Sequence, residues 1–161
     1  MRRFVKPVLL TVLGVGLAIQ LVPYGWDHSN PPVTQEAPWP SQEARELAVA
    51  ACYDCHSNES EWPVYSYIAP MSWLVRRDVD AGRDELNFST WDQDDDDAHD
   101  AAETVEDGSM PPSQYLMLHA DARLSDEEEQ VLIAALEALD EGGGGDDGGD
   151  RSGSNSGPGK G

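Results

Sequence analysis

The stretch Cys52-Tyr53-Asp54-Cys55-His56 contains the only two cysteines of this 161-residue chain. Two thiols three positions apart on a tight turn can each add to one of the two vinyl groups on an edge of a porphyrin. The imidazole that follows can then reach the iron axially. C-x-x-C-H is the attachment pattern of c-type haem. The motif therefore predicts one haem c, held covalently by Cys52 and Cys55, with His56 as an axial iron ligand.

Three other uses of the motif compete with haem attachment. A C-x-x-C redox disulfide is one, but nothing around the motif resembles a βαβ unit. Zinc could use the two thiols and the imidazole, but a closed site needs a fourth ligand and no second paired cluster exists. A structural disulfide is the third. Haem attachment is favoured, since the histidine beside the cysteines would otherwise be a coincidence.

The second axial position is assigned to Met110, in the segment Gly108-Ser109-Met110-Pro111-Pro112. A methionine thioether is the ligand that raises the reduction potential of electron carriers. The neighbouring prolines stiffen the segment, so the thioether is presented at a fixed place. His119 is the next candidate, and Met71 and Met117 are expected in the core. His99 is a further histidine in this part of the chain.

The N-terminus has the pattern of a secretory signal or signal anchor. Arg2, Arg3 and Lys6 lead into an uncharged stretch from Pro7 to Val22. No convincing cleavage site follows, so residues 1–25 are predicted to be an uncleaved transmembrane anchor, with a cleaved signal peptide or a buried helix as alternatives. Because the basic residues come first, the rest of the chain is expected on the extracytoplasmic side of the membrane.

Composition divides the exported part into three segments. Residues 26–40 are rich in proline and are predicted to be an extended spacer. Residues 41–140 form the predicted folded domain. Residues 141–161 are mostly Gly, Ser and Asp, so that tail is predicted to be disordered.

Local signals in the domain predict helices and no strands. Ser41 is a candidate cap for a helix that reaches Ala51. A second helix is predicted from near Pro70 to Gly82, and a third over about Ala98 to Glu106, ending at Gly108. Ser125 and Glu128 form a capping box ahead of a last helix, whose apolar stripe is Val131, Leu132, Ala135, Leu136 and Leu139. The predicted fold class is all-α.

The chain is strongly acidic, with 10 Lys and Arg against 31 Asp and Glu and a net charge of −21. This charge excludes nucleic acid and anionic surfaces as favoured partners. Six aspartates lie from Asp92 to Asp100; their spacing does not fit a calcium loop, so a solvated loop is expected. So acidic a chain, nearly without lysine, also suggests a protein adapted to high salt, where self-repulsion is screened.

Arginine and aromatic side chains supply further candidates for the site. Arg76, Arg77 and Arg83 are expected to be solvated, with pairing to haem propionates as the alternative. Several aromatic rings are expected in the core, some of them facing the porphyrin. They are Trp62, Tyr65, Tyr67, Trp73, Trp91 and Tyr115.

An ordered set of short motifs over residues 41–140 resembles the haem-binding domain family of small, membrane-anchored cytochrome-c-like proteins. The matching pieces are residues 52–58, 62–65, 69–74, 82–83, 86–89, Met110-Pro111-Pro112 with Tyr115 and His119, and 124–128. The resemblance implies a cytochrome-c-like fold, covalent haem and a role in electron transfer. The aspartate run and the glycine tail lie outside the family pattern.

The expected function is that of a membrane-tethered single-electron carrier between extracytoplasmic redox proteins, with no catalysis on a substrate. The alternative is a haem sensor or peroxidase-like protein in which the sixth iron position is open. A third hypothesis is a thiol or zinc module without haem.

Overall fold

The structure, a computed structural model, describes residues 2–91 and 98–143. Within these ranges the chain is helical, and its extended backbone pairs only in one isolated parallel bridge between Gln35 and Thr90. The all-α prediction is confirmed for this part of the chain. The helices are α1 (Arg2–Ile19), α2 (Gln42–Ala51), α3 (Tyr53–His56), a 3₁₀ turn (Val64–Tyr67), α4 (Met71–Glu85), α5 (Ala98–Glu106), α6 (Ser113–Leu118) and α7 (Asp126–Gly143).

The predicted caps of α2 and α7 are present. The Ser41 hydroxyl accepts a hydrogen bond from the Ala44 N–H at 3.0 Å. The Ser125 N–H donates to the Glu128 carboxylate at 2.7 Å, and the Glu128 N–H points back to the Ser125 hydroxyl at 3.4 Å. These contacts satisfy N–H groups that a helix start leaves without an intrahelical partner.

The core lies where α7 packs against α5 and α2. Leu132, Leu136 and Leu139 of the predicted stripe are buried on α7. Phe88 continues this core as an aromatic stack, with its ring centroid 5.7 Å from Tyr53 and 6.2 Å from Trp91. Because Tyr53 belongs to the C-x-x-C-H turn, the turn is anchored directly in the core.

Gly82 does not end α4 as predicted. The helix continues to Glu85, and Gly82 lies inside it, facing the C-x-x-C-H turn. A Cβ at this position would lie 2.6 Å from the Cys55 carbonyl oxygen and 3.0 Å from the Cys55 Cβ. The glycine therefore permits close packing of α4 on α3, at the cost of some helix propensity.

Residues 26–40 are not the extended spacer that their prolines predicted. The Ala37 N–H donates to the Phe88 carbonyl at 2.9 Å, and the Trp91 N–H donates to the Gln35 carbonyl at 3.0 Å. The Asn58 amide donates to the Pro32 carbonyl at 3.0 Å. Proline content predicted the extended backbone, but only long-range contacts show that this backbone packs on the helical domain.

The segment predicted as a membrane anchor is mostly helix α1, with its large apolar side chains exposed. No helix in residues 2–91 or 98–143 has the combined length and apolarity of a membrane span. At the C-terminal end of α1, the Gln20 amide donates to the Ala69 carbonyl at 2.9 Å and accepts from the Ala69 N–H at 3.0 Å. The end of α1 is therefore joined to the start of α4. The tail predicted to be disordered begins at residue 141, but residues 141–143 continue helix α7. Residues 144–161 of that tail and residues 92–97 of the aspartate run lie outside the described residues.

Replacing Gly82 with alanine is expected to destabilise the domain by roughly 1–3 kcal/mol, because the new methyl group must displace the backbone of Cys55. Urea unfolding of the haem-loaded protein, followed by circular dichroism, measures this effect. Gly142→Ala is the matched control, since Gly142 also lies in a helix but a Cβ there meets nothing within 4 Å. Equal stability of the two variants would contradict the close packing of α4 on Cys55.

Candidate functional site

A cavity of about 530 Å³ lies between the C-x-x-C-H turn, α4, α5 and the segment that leads into α6. All four predicted site residues line it: Cys52, Cys55, His56 and Met110. The volume falls within the ~300–1,000 Å³ typical of cofactor sites. The lining is largely apolar and includes Leu74, Val75, Ala81, Leu86, Phe88, Val105, Pro111, Pro112 and Leu118. A flat apolar ring fits such a lining better than a small polar ligand would.

The imidazole of His56 is oriented by α4. Its Nδ1 lies 3.1 Å from the Leu86 carbonyl oxygen, which can only accept, so Nδ1 carries the proton and donates. Nε2 is then the unprotonated nitrogen that a metal requires. Burial lowers the pKa of His56, against smaller opposing effects from hydrogen bonds to the Leu86 and Gly82 backbone. The lowered pKa keeps the imidazole neutral, which is its ligating form.

The two cysteines are free thiols on the cavity wall. Burial raises the pKa of each to about 12, with negative charge on Asp54 and Asp78 adding to the effect at Cys55. Both thiols are therefore neutral near pH 7. Redox exchange proceeds through the thiolate, which this environment disfavours.

The zinc alternative lacks a ligand set. In the part of the chain that the structure describes, no three His, Cys, Asp or Glu side chains gather in a way that could hold a metal ion. Cys52, Cys55 and His56 instead face a cavity far larger than a tetrahedral ion needs. The donor set and the apolar lining together fit a porphyrin.

Residues 82–89 form a series of hydrogen bonds with the C-x-x-C-H turn and with the two residues that follow it. The Phe88 N–H donates to the His56 carbonyl at 2.9 Å. Arg83 Nε donates to the Ser57 carbonyl at 2.7 Å. The Asn58 N–H donates to the Ser89 hydroxyl at 2.9 Å, and the Asn87 amide donates to Asn58 Oδ1 at 3.0 Å. We call residues 82–89 the clamp segment.

The clamp segment explains motif pieces whose function sequence reasoning missed. Gly82 contacts Cys55 in the attachment turn. Arg83 and Asn87 bind the two residues after the turn, Ser57 and Asn58. Ser57 and Ser89 are completely buried, so each polar contact between the two segments replaces water. The sequence does show small and polar residues both directly after the motif and at 82–89. Because neither group has a helical or strand periodicity, their contact could not be predicted.

Met110 lines the cavity from the segment between α5 and α6. Its N–H donates to the Thr104 carbonyl, near the end of α5, at 3.0 Å. Between them Gly108 has φ +74°, a conformation that glycine adopts without strain, and this residue reverses the chain after α5. The Met110 side chain is 39% exposed.

The structure locates the other candidate ligands differently. Met71 also lines the cavity, whereas Met117 is 71% exposed, so the prediction that both are core residues is wrong. Neither is enclosed, because α6 and the start of α4 lie at the rim. The His119 ring lies against Tyr115 and Tyr65 and borders a separate groove of about 620 Å³. The side chain of His99 falls outside the part that the structure describes.

None of the three candidate arginines, Arg76, Arg77 and Arg83, lines the cavity. Arg76 pairs with Asp80 at 2.9 Å and Asp27 at 3.3 Å. Arg83 belongs to the clamp segment, and Arg77 is exposed. Among the described residues lining the cavity, the carboxyl-bearing ones are Asp54, Asp78, Glu85 and Asp100, and no Arg or Lys joins them. Burial raises the pKa of Asp78.

Of the aromatic residues that the sequence singled out, two reach the cavity, Tyr65 and Tyr115. Trp91 is buried in the core behind it. Trp62 and Tyr67 instead contact His28, with ring centroids 4.6 and 4.1 Å from the imidazole. These five rings therefore lie in three environments: the cavity, the core and the surroundings of His28. The sequence alone did not distinguish them.

The fold and the cavity define an all-helical protein whose site is built to hold a haem. The chain matches the model of the haem-binding domain family over residues 14–138 and belongs to that family. This match confirms the family predicted from the short motifs. No curated protein and no solved structure matches the chain.

Arg83→Met is expected to destabilise the protein by roughly 1–3 kcal/mol, because it leaves the buried Ser57 carbonyl without its donor. Guanidinium unfolding of the haem-loaded protein measures the change. Arg77→Met on the same helix is the control and should alter stability by less than about 0.5 kcal/mol, since Arg77 is exposed. If Arg83→Met were as stable as Arg77→Met, the clamp contact would have no energetic weight.

Proposed function

We propose that this protein is a monohaem c-type cytochrome that carries single electrons between extracytoplasmic redox proteins. The observation that carries the proposal is the convergence of Cys52, Cys55, His56 and Met110 on one apolar cavity. Met110 is 54 residues beyond His56 in the sequence, yet the fold brings it to the same cavity.

Each of these residues has one task. Cys52 and Cys55 would hold the porphyrin edge through thioether bonds, His56 Nε2 would bind the iron, and Met110 would supply the sixth ligand. The haem, when bound, supplies the one-electron chemistry. The apolar lining excludes water, and the chain performs no bond-making chemistry on a substrate.

The charges around the cavity support a defined kind of partner. Asp54, Asp78, Glu85 and Asp100 line it, and the chain carries a net charge of −21. Electrostatic complementarity therefore favours redox proteins that present basic side chains at their docking face. The same charge opposes binding to nucleic acid.

The tether is part of the proposal. The apolar side chains of α1 are exposed, from Phe4 at 76% to Leu21 just beyond the helix at 77%. Arg2, Arg3 and Lys6 precede or begin the apolar part. A lipid environment would cover these side chains with the basic residues at the cytoplasmic surface and the haem domain outside.

Covalent haem is tested on a denaturing gel stained for haem, using protein from a host that matures c-type cytochromes. A stained band is expected at the size of the chain, because thioether bonds survive denaturation. The variant with both Cys52→Ala and Cys55→Ala should lose the stain. An unstained wild-type band would overturn the proposal and favour the thiol or zinc module. Running membrane and soluble fractions side by side tests the tether, which predicts the band in the membrane fraction.

The sixth ligand is tested with Met110→Leu, which keeps the apolar volume but removes the sulfur. The charge-transfer band of methionine-bound ferric haem should disappear and the reduction potential should fall. Met71→Leu is the matched control, because Met71 lines the same cavity, and it should retain the band. An unchanged band in Met110→Leu would exclude Met110. A wild-type spectrum without the band would favour the haem sensor or peroxidase-like alternative.

A further inference from the structure

Helix α6 follows Met110 directly, yet it has little hold on the core. None of its six residues is buried. Only Tyr115 and Leu116 of α6 are half-buried, so polar contacts contribute a large share of what fixes α6 and the methionine segment before it.

The strongest of these contacts joins α6 to the attachment turn. The Tyr115 hydroxyl donates to Asp54 Oδ2 at 2.8 Å, and Asp54 is the residue between Tyr53 and Cys55 in the C-x-x-C-H motif. The other carboxylate oxygen of Asp54 accepts from the Glu61 N–H at 2.9 Å, so the acceptor is itself held. Burial and the charge on Asp54 raise the pKa of Tyr115, which keeps its hydroxyl protonated as a donor.

His119 supports Tyr115 from behind. The two rings stack with centroids 3.9 Å apart and an interplanar angle of 17°. His119 Nδ1 lies 3.1 Å from the Tyr115 carbonyl oxygen and must donate to it, so Nε2 accepts from the Tyr65 hydroxyl at 3.2 Å. Both ring nitrogens of His119 are thus engaged outside the cavity.

We infer that Tyr115 is a positioning residue for the sixth ligand: its hydrogen bond to Asp54 fixes α6 on the attachment turn and so holds Met110 over the cavity. The inference rests on the proposed function, because it takes Met110 as the ligand. Met110 is then held on both sides in sequence, by its own N–H on Thr104 and by Tyr115 on Asp54.

Tyr115→Phe tests this in the haem-loaded protein, because it keeps the ring that stacks on His119 and removes only the hydroxyl. A hydrogen bond to a charged acceptor is strong enough that its loss should raise the apparent affinity of imidazole for the iron roughly tenfold, since imidazole must displace Met110. The charge-transfer band of bound methionine should also vanish at a lower temperature than in the wild type, before the far-ultraviolet dichroism changes.

Tyr67→Phe is the matched control. It removes a phenol hydroxyl from a ring that is 62% exposed and lies against His28, away from the cavity. Imidazole affinity and the charge-transfer band should stay at wild-type values. A double variant with Asp54→Ala tests the pairing itself, since Tyr115→Phe should add little once its acceptor is gone.

The outcomes separate this inference from the proposed function. If Met110→Leu abolishes the band while Tyr115→Phe binds imidazole as weakly as the wild type, the positioning role is wrong and the ligand assignment stands. If Tyr115→Phe and Asp54→Ala act additively, the hydrogen bond between them does not carry the effect. If the wild type lacks the methionine band, the ligand assignment and the positioning role both fail.

Discussion

The approach of α4 to the Cys55 carbonyl, at a position where only glycine fits, is the constraint on which the histidine side of the cavity depends. Because Gly82 lets the two backbones touch, Arg83 lies within reach of the Ser57 carbonyl. One helical turn beyond Gly82, the Leu86 carbonyl reaches Nδ1 of His56 and fixes its tautomer. A wider spacing between α3 and α4 would break all three contacts together, so a single missing methyl group sets the position and tautomer of the His56 imidazole.

Local signals predicted much of this fold. Helix caps, apolar stripes and the C-x-x-C-H spacing act over a few residues. Helices α2 and α5 have the bounds that such signals indicate, and α7 begins where its capping box predicts. Gly82 shows where this reasoning fails. A glycine near the end of a helical pattern predicts termination, but its neighbour here is the backbone of Cys55, 27 residues away in the chain. Packing, rather than propensity, decides the role of such a residue.

The site shows the same division. Cys52, Cys55, His56 and Met110 could be found from spacing and residue chemistry, and all four line the cavity, whereas His119 does not. Arg76 and Arg83 could not be placed, because both have a partner that sequence distance conceals: Arg76 pairs with Asp27, and Arg83 pairs with Ser57. The roles of α6 and residues 26–40 were also hidden. Their contacts join segments far apart in the chain, as the Tyr115–Asp54 hydrogen bond and the packing of Trp39 on Phe88 show, and such contacts leave no periodic trace.

The two walls of the cavity are held by different means, and this difference bears on function. Behind His56 the clamp segment packs on residues 57 and 58, and the completely buried hydroxyls of Ser57 and Ser89 are both hydrogen-bonded there. Behind Met110 lies α6, with no buried residue. Local opening costs least where little apolar surface is buried. The methionine side is therefore held by the polar contacts of α6 and by the packing of Tyr115 and Leu118 against the group that fills the cavity. A carrier needs both ligands in place, whereas a sensor needs one of them to leave. The electron-carrier and sensor hypotheses therefore require the same scaffold. They differ in how strongly a few polar contacts, such as Tyr115 to Asp54, fix α6 in place.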